Sequence, residues 1–354
     1  PSNNSVVAPA LGGATPDRLK PVRIWLYVIA VMVLLMVIVG GTTRLTGSGL
    51  SITEWQPISG VIPPLDEQAW QAEFDNYKRI PQYTVNNPDM TLSQFKSIFW
   101  WEWGHRFLGR LIGFVFFVPF LVFLVQKRFS WKLAGPLTGL FLLGGLQGVV
   151  GWWMVSSGLS KLTSVSQYRL ATHLSTALVL FLALIWVARR LEPRLGRSQV
   201  RTTSSAPLWT LLVLVAIQIA AGAFVAGLHA GMGYNTWPLM DGSLIPQGLG
   251  IMQPAWKNLF ENALTVQFNH RMIAYVIFFY TFFLLARQYR AGGCKGVDGW
   301  MPRIALLVLL QVALGITTLV TTVPLALALG HQALAFMLAG AIMAYLADRS
   351  LILA

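Results

Sequence analysis

Residues 99–125 read FWWEWGHRFLGRLIGFVFFVPFLVFLV, an apolar run whose one acid, one imidazole and two arginines all sit in its first half. A helix that crosses a bilayer needs about 20 predominantly apolar residues, so this stretch fixes the class of fold. Working outward, seven more stretches of that kind occur, at 23–43, 132–154, 168–188, 208–228, 264–286, 303–322 and 325–347. The composition agrees, with 55% of the 354 residues hydrophobic and only 11% charged, against about a quarter charged in soluble domains. A disordered tail, a disulfide-stapled secreted domain and an ordinary cytosolic enzyme are excluded. Cys294 is the only cysteine, which leaves no intramolecular disulfide and no Cys-rich metal site. The expected fold is an all-α integral membrane protein with eight transmembrane helices.

The charge balance, 26 basic against 13 acidic residues for a net +13, needs to be located before it is interpreted. Arg18, Lys20 and Arg23 precede the first span, and Lys127, Arg128 and Lys132 join the second and third. Arg189, Arg190, Arg194, Arg197 and Arg201 join the fourth and fifth, and Arg287, Arg290, Lys295 and Arg303 the sixth and seventh. Glu54, Asp66, Glu67, Glu73, Asp75, Asp89, Asp241 and Glu261 fall on the other side. Basic residues mark cytoplasmic loops, so both termini are expected inside and the acidic loops outside. Topology absorbs the positive charge, and nucleic acid is not implied. The first twenty residues carry no apolar run, so no cleavable secretory signal is expected.

A repeat divides the chain. LQGVVG (146–151) resembles LQVALG (310–315) at an offset of 164, and EWGHR (102–106) resembles QFNHR (267–271) at 165. THLSTAL (172–178) resembles GHQALAF (330–336) at 158, and Gly41 matches Gly222 at 181. The expected organisation is a cytoplasmic tail (1–22), a first four-helix bundle (23–190) with a long outer loop (45–98), a cytoplasmic linker (191–207) and a second bundle (208–348). Four helices per half is an even number, so the two bundles are pseudo-symmetric about an axis along the membrane normal.

Four of the five histidines fall at matching points of that repeat: His105 and His173 in the first half, His270 and His331 in the second. Each opens a helix that runs from outside to inside, within about two turns of the outer face. A single such histidine reads as an interfacial residue bonded to a loop carbonyl. Four at equal depth, in two pairs, read as axial ligands of two haems, because imidazole ligates iron well and two rings can face one another across a bundle. Gly104, Gly109 and Gly113 would leave room for a flat macrocycle. His229, at the end of the fifth span, has no counterpart and reads as loop-facing and unliganded. Arg106 and Arg271 follow a histidine in each half, and Arg44, Arg110 and Arg169 lie at similar depth. They are snorkelling residues or partners for haem propionates, and Arg106 and Arg271 are the candidates for the second role.

The halves differ at one place, Glu102 against Gln267. Glu102 lies three residues before His105, so the two share a helix face. An intramembrane carboxyl is costly to ionise and suits proton abstraction or the stabilisation of a developing cation. The alternative is a carboxyl that snorkels to water or pairs with an arginine. The asymmetry suggests that the first half does chemistry and the second carries electrons.

The stretches GTTRLTGSGLSITEW (41–55), WWEWGHRFLGRLIG (100–113), LQGVVGWWMV (146–155), VSQYRLATHLSTALVL (165–180), AGAFVAGL (221–228), YNTWPLMDG (234–242), FENALTVQFNHR (260–271) and LALGHQ (327–332) resemble haem A synthases of the alphaproteobacterial and mitochondrial type. The resemblance covers nearly all helices and outer loops. It implies oxidation of the C8 methyl of haem O to a formyl group through hydroxymethyl intermediates. It also implies a substrate haem on His105 and His173 with Glu102 essential, and a permanent haem b on His270 and His331. Further implications are haem O as substrate and haem A as product, an unidentified electron partner, and contact with haem O synthase and cytochrome c oxidase assembly factors. A bacterial inner membrane, or else a mitochondrial one, is the expected location, with membrane lipid around the helices and a homo-oligomer possible. Bacillus-like members carry cysteine pairs in outer loops; this chain does not. Competing readings are a b-type cytochrome that transfers electrons without altering haem, and a haem transport or assembly protein.

Overall fold

The computed structural model describes residues 16–192, 204–294 and 299–353; most of the expected tail and the middle of the expected linker lie outside these. Nine α-helices follow in order: α1 (Pro16–Leu45), α2 (Glu67–Tyr77), α3 (Leu92–Val125), α4 (Trp131–Ser156), α5 (Gln167–Arg190), α6 (Ala206–Gly227), α7 (Ala263–Arg290), α8 (Trp300–Val320) and α9 (Leu325–Leu353). All but α2 are long and apolar enough to cross a membrane. Among the described residues there is no strand, only an isolated bridge between Met240 and Ser243. This is a multi-pass, all-helical membrane protein.

Several helices outrun their apolar cores. α1 begins at Pro16, seven residues before the expected start. α3 begins at Leu92, where Thr91 and Gln94 form a reciprocal capping box that satisfies two otherwise orphaned N–H groups. At 34 residues, α3 is about 50 Å long and projects well beyond a hydrocarbon core of about 30 Å. His105 therefore lies thirteen residues into its helix rather than at its opening. His173, His270 and His331 lie six or seven residues into theirs.

The eight long helices touch in two rings. α1 meets α3 and α5, while α4 meets α3 and α5; in the same way α6 meets α7 and α9, while α8 meets α7 and α9. Thus α3 faces α5, and α7 faces α9, along ring diagonals. The rings join where α5 packs on α6 and α9 and where α1 packs on α9. Lipid is as apolar as leucine, so close backbone approach and polar ties hold such helices together. A Cβ on Gly41 would lie 2.8 Å from Gln332 and Leu329, and one on Gly340 2.9 Å from Phe181. The Gln332 amide donates to Val37 O at 2.9 Å. At the end away from the histidines, Arg189 holds the buried Asp348 bidentately, the shortest contact 2.6 Å. At the other end the Tyr168 hydroxyl bonds Glu261 at 2.9 Å.

Packing density differs along the helices. The large buried cluster draws on the halves away from the histidines, such as Val22–Val37, Leu133–Leu140, Leu178–Leu191 and Phe336–Leu346. The histidine-bearing halves are only half-buried. The 45–98 segment is more than a loop. α2, N-capped by Asp66, lays Trp70, Phe74 and Tyr77 against Leu50, Ile80, Phe95 and Phe99.

Candidate functional site

Each of the four histidines lies against a glycine of the adjoining helix in its ring. A Cβ on Gly40 of α1 would lie 3.1 Å from His105 Nε2, and one on Gly151 of α4 3.1 Å from His173 Cε1. In the second ring the same atom on Gly222 of α6 would lie 3.1 Å from His270 Cε1, and on Gly315 of α8 2.7 Å from His331 Cε1. No larger residue fits beside these rings without a shift. His105 and His173 are close enough for their charges to interact, as are His270 and His331. Each pair thus bridges a ring diagonal. All four imidazoles are half-buried, and His173 Nδ1 and His270 Nδ1 are enclosed without a hydrogen-bond partner. Gly104, Gly113, Gly144 and Gly148 have nothing within 4 Å of a Cβ position, whereas Gly109 meets Met36 at 2.9 Å. Among the described residues no three His, Cys, Asp or Glu side chains converge. Imidazole pairs set across a ring have the donor chemistry of axial haem ligation, and the open glycines lie on α3 and α4 of the first ring alone.

Glu102 is 3% exposed and fully coordinated. Ser51 Oγ donates to its Oε2 at 2.8 Å and Ile52 N at 2.9 Å, while Arg106 Nη2 donates to Oε1 at 2.7 Å. This set of charge-assisted bonds offsets the cost of burying a carboxylate. Gln267 occupies the corresponding place in the second ring. Its amide nitrogen donates to Ala230 O at 2.8 Å, and Arg271 donates to its oxygen at 2.9 Å.

The arginines are engaged with loops. Arg106 also donates to Ile52 O and Glu54 O, and Arg271 donates to Tyr234 O and Thr236 O. Arg110 binds Gln56 O and Pro57 O, and Arg169 binds Trp153 O and Ser156 Oγ. Arg106 points away from His105, as adjacent helical residues must, so all its nitrogens are committed to Glu102 and the 52–54 segment. Arg271 Nε remains buried without a partner. His229 stands outside both pairs, exposed and left-handed at φ 52°. Partial desolvation, and then the Arg44 charge, hold it below the usual imidazole range. Cys294 follows α7 at the end away from the histidines.

Two features escaped sequence reasoning. One is the glycine register, since Gly40 rather than Gly41 is the counterpart of Gly222. The other is a pair of glutamines. Gln218 donates to His270 O at 2.9 Å and contacts its Nε2 at 3.2 Å; Gln311 donates to His331 O at 3.0 Å and contacts its Nδ1 at 3.2 Å. The repeated LQ dipeptide could have flagged Gln311 and Gln147.

Residues 23–343 match the family model described as cytochrome oxidase assembly protein (COX15-CtaA). The chain belongs to that family. It is 55% identical to the haem A synthase of Azorhizobium caulinodans over 330 residues, which cover 91% of this chain and 93% of the relative. It is 51% identical to the haem A synthase of Chelativorans over 334 residues, covering 94% and 92%. With the haem A synthase of Rhizobium rhizogenes it shares 52% over 322 residues, covering 91% and 88%.

Proposed function

We propose that this protein is a bacterial haem A synthase, a membrane oxidoreductase that converts haem O to haem A for cytochrome c oxidase assembly. Kinship at 51–55% identity over nine-tenths of the chain supports the reaction class. The observation that carries the finer reading is the contrast between Glu102 and Gln267 beside two otherwise matching histidine pairs.

In this reading the substrate bundle comes first and the electron-carrying bundle second. His105 and His173 grip the iron of haem O, and the reacting C8 methyl lies on the rim of the macrocycle. Both axial positions of the substrate iron can therefore be filled while the rim reacts. Glu102, three residues from His105, faces that rim. Its carboxylate is pinned by Ser51, Ile52 and Arg106, so it is preorganised to accept a proton or to stabilise positive charge developing at the carbon. Methyl to formyl, through a hydroxymethyl stage, removes four electrons. Haem b would be held by His270 and His331, and when bound it would supply a one-electron redox centre for passing those electrons on. Around it this chain provides neutral anchoring: Gln218 and Gln311 fix the histidine backbones, and Gln267 keeps a carboxylate out. Of the two propionate candidates, Arg271 keeps an uncommitted buried Nε for that role, whereas Arg106 serves Glu102. The basic loops support an orientation with both termini in the cytoplasm and the histidines toward the outer leaflet.

The test is to purify the full chain from membranes, extract its pigments and identify them by chromatography and mass. Haem O or its oxidised derivatives beside haem b are expected. Haem b alone, in two copies, would replace this reading with that of an electron-transfer cytochrome.

A further inference from the structure

On the flank of α3 away from His105 lies a chamber of about 320 Å³, roofed by the 52–73 segment. Phe99, Trp103, Arg106 and Arg110 line it from α3, and Ala69 and Glu73 line it from α2. The four α3 residues share one helix face, and His105 points roughly 130° from it. Glu102 lies between the two directions, and its partner Arg106 forms part of the chamber wall. Three enclosed polar atoms of the lining have no protein partner: Glu73 Oε2, Trp103 Nε1 and Arg110 Nη1. Buried polar groups are nearly always hydrogen-bonded, and a cavity of this size with three such atoms in its wall has room for water, of the order of ten molecules at ~30 Å³ each. Ile62, Leu65 and Asp66 of its lining are exposed, so the chamber opens to solvent on their side. The chamber therefore joins outer water to the back of the Glu102–Arg106 pair.

We propose that this chamber is a water-filled proton outlet for the first histidine site, with Glu73 as its proton acceptor. The inference rests on the assignment of Glu102 as the group that takes protons from the substrate. In the outlet no electron moves. Glu102 releases its proton to chamber water, a water proton passes to the Glu73 carboxylate, and Glu73 releases it through the mouth. Glu102 returns to the carboxylate form and Arg106 stays charged throughout. Glu73 faces Glu54, Glu102 and Arg106 electrostatically, and Asp66 and Arg110 also line the chamber. Burial first, then Glu54 and Glu102, raise its proton affinity above that of an ordinary glutamate, with Arg106 opposing. That suits a group that must capture a proton and then lose it to water. Glu73 touches no substrate; it is a positioning residue for the proton.

The experiment measures haem A formation against pH in the full-length protein, its Glu73→Gln and Glu73→Asp variants, and Ala69→Leu, which fills the chamber without altering a charge. Glu73 accepts a proton only when ionised, so the parent should lose turnover as pH falls, and at a higher pH than an exposed glutamate would impose. Glu73→Gln should bind haem O normally, turn over at least about tenfold more slowly and lose that acid limb. Glu73→Asp should restore both, and Ala69→Leu should slow turnover while keeping the limb. A working parent beside a Glu73→Gln variant with unaltered rate and profile would overturn the outlet alone. A Glu102→Gln variant that forms haem A at the parent's rate would overturn the Glu102 assignment, and the outlet with it.

Discussion

The two histidine pairs share a frame and differ in what surrounds it. Each ring sets a histidine against a glycine on two of its four helices, so the frame is a device for bringing flat rings close to a neighbouring backbone. Around the first pair stands an ion pair, Glu102–Arg106, and no glutamine ties either histidine carbonyl. Gln147 makes no hydrogen bond, and Met36 stands where the second half has Gln218. Around the second pair no carboxylate takes the place of Glu102, and amides hold the frame: Gln218 and Gln311 on the histidine carbonyls, and Gln267 between Ala230 O and Arg271. A charge costs stability within a membrane and is kept where chemistry needs it. Amide anchors lower mobility and suit a group that stays. On the proposed function, that difference is what would separate a site for turnover from one for retention.

The sharpest way to break the comparison is Glu102→Gln, which gives the first site the side chain of the second. It should retain bound haem O and reduce haem A formation by about 10²–10⁴-fold, read by pigment extraction; normal haem A would remove Glu102 from the mechanism. Next in size is Gly315→Ala, whose Cβ would press on His331 at 2.7 Å. Overpacking of this kind costs about 1–3 kcal/mol, so the variant should lose haem b absorbance and melt earlier. Gly151→Ala, whose Cβ would lie 3.1 Å from His173, should be milder. Gln218→Met, which imports the first-site residue, removes a bond worth about 0.5–1.5 kcal/mol and should speed haem b loss to an apo-globin trap. Smallest is Gln147→Leu. Its buried amide bonds nothing in the protein, so no bond is lost and the variant should melt no earlier than the parent.

The eight spans, the four histidines and the Glu102–Gln267 contrast are legible in the sequence because apolar length and repetition are one-dimensional signals. What escapes is whatever depends on which face meets which neighbour. Gly40 and Gly41 are adjacent letters, yet one meets His105 and the other meets α9; a one-residue step turns a helix by about 100°. Arg106 looked available because it follows a histidine, but that same turn aims it at Glu102 and the 52–54 segment. The 45–98 segment read as a loop because α2 is short and mixed in character. Its order comes from Trp70, Phe74 and Tyr77 meeting Phe95 and Phe99, eighteen or more residues away.

The account stands on the two sites holding different pigments. The direct measurement is pigment extraction and mass identification from His105→Ala and, separately, His270→Ala protein purified from the same host. The first should keep haem b and lose haem O and its oxidised derivatives, and the second should lose haem b. Equal loss of one and the same pigment from both variants would contradict it.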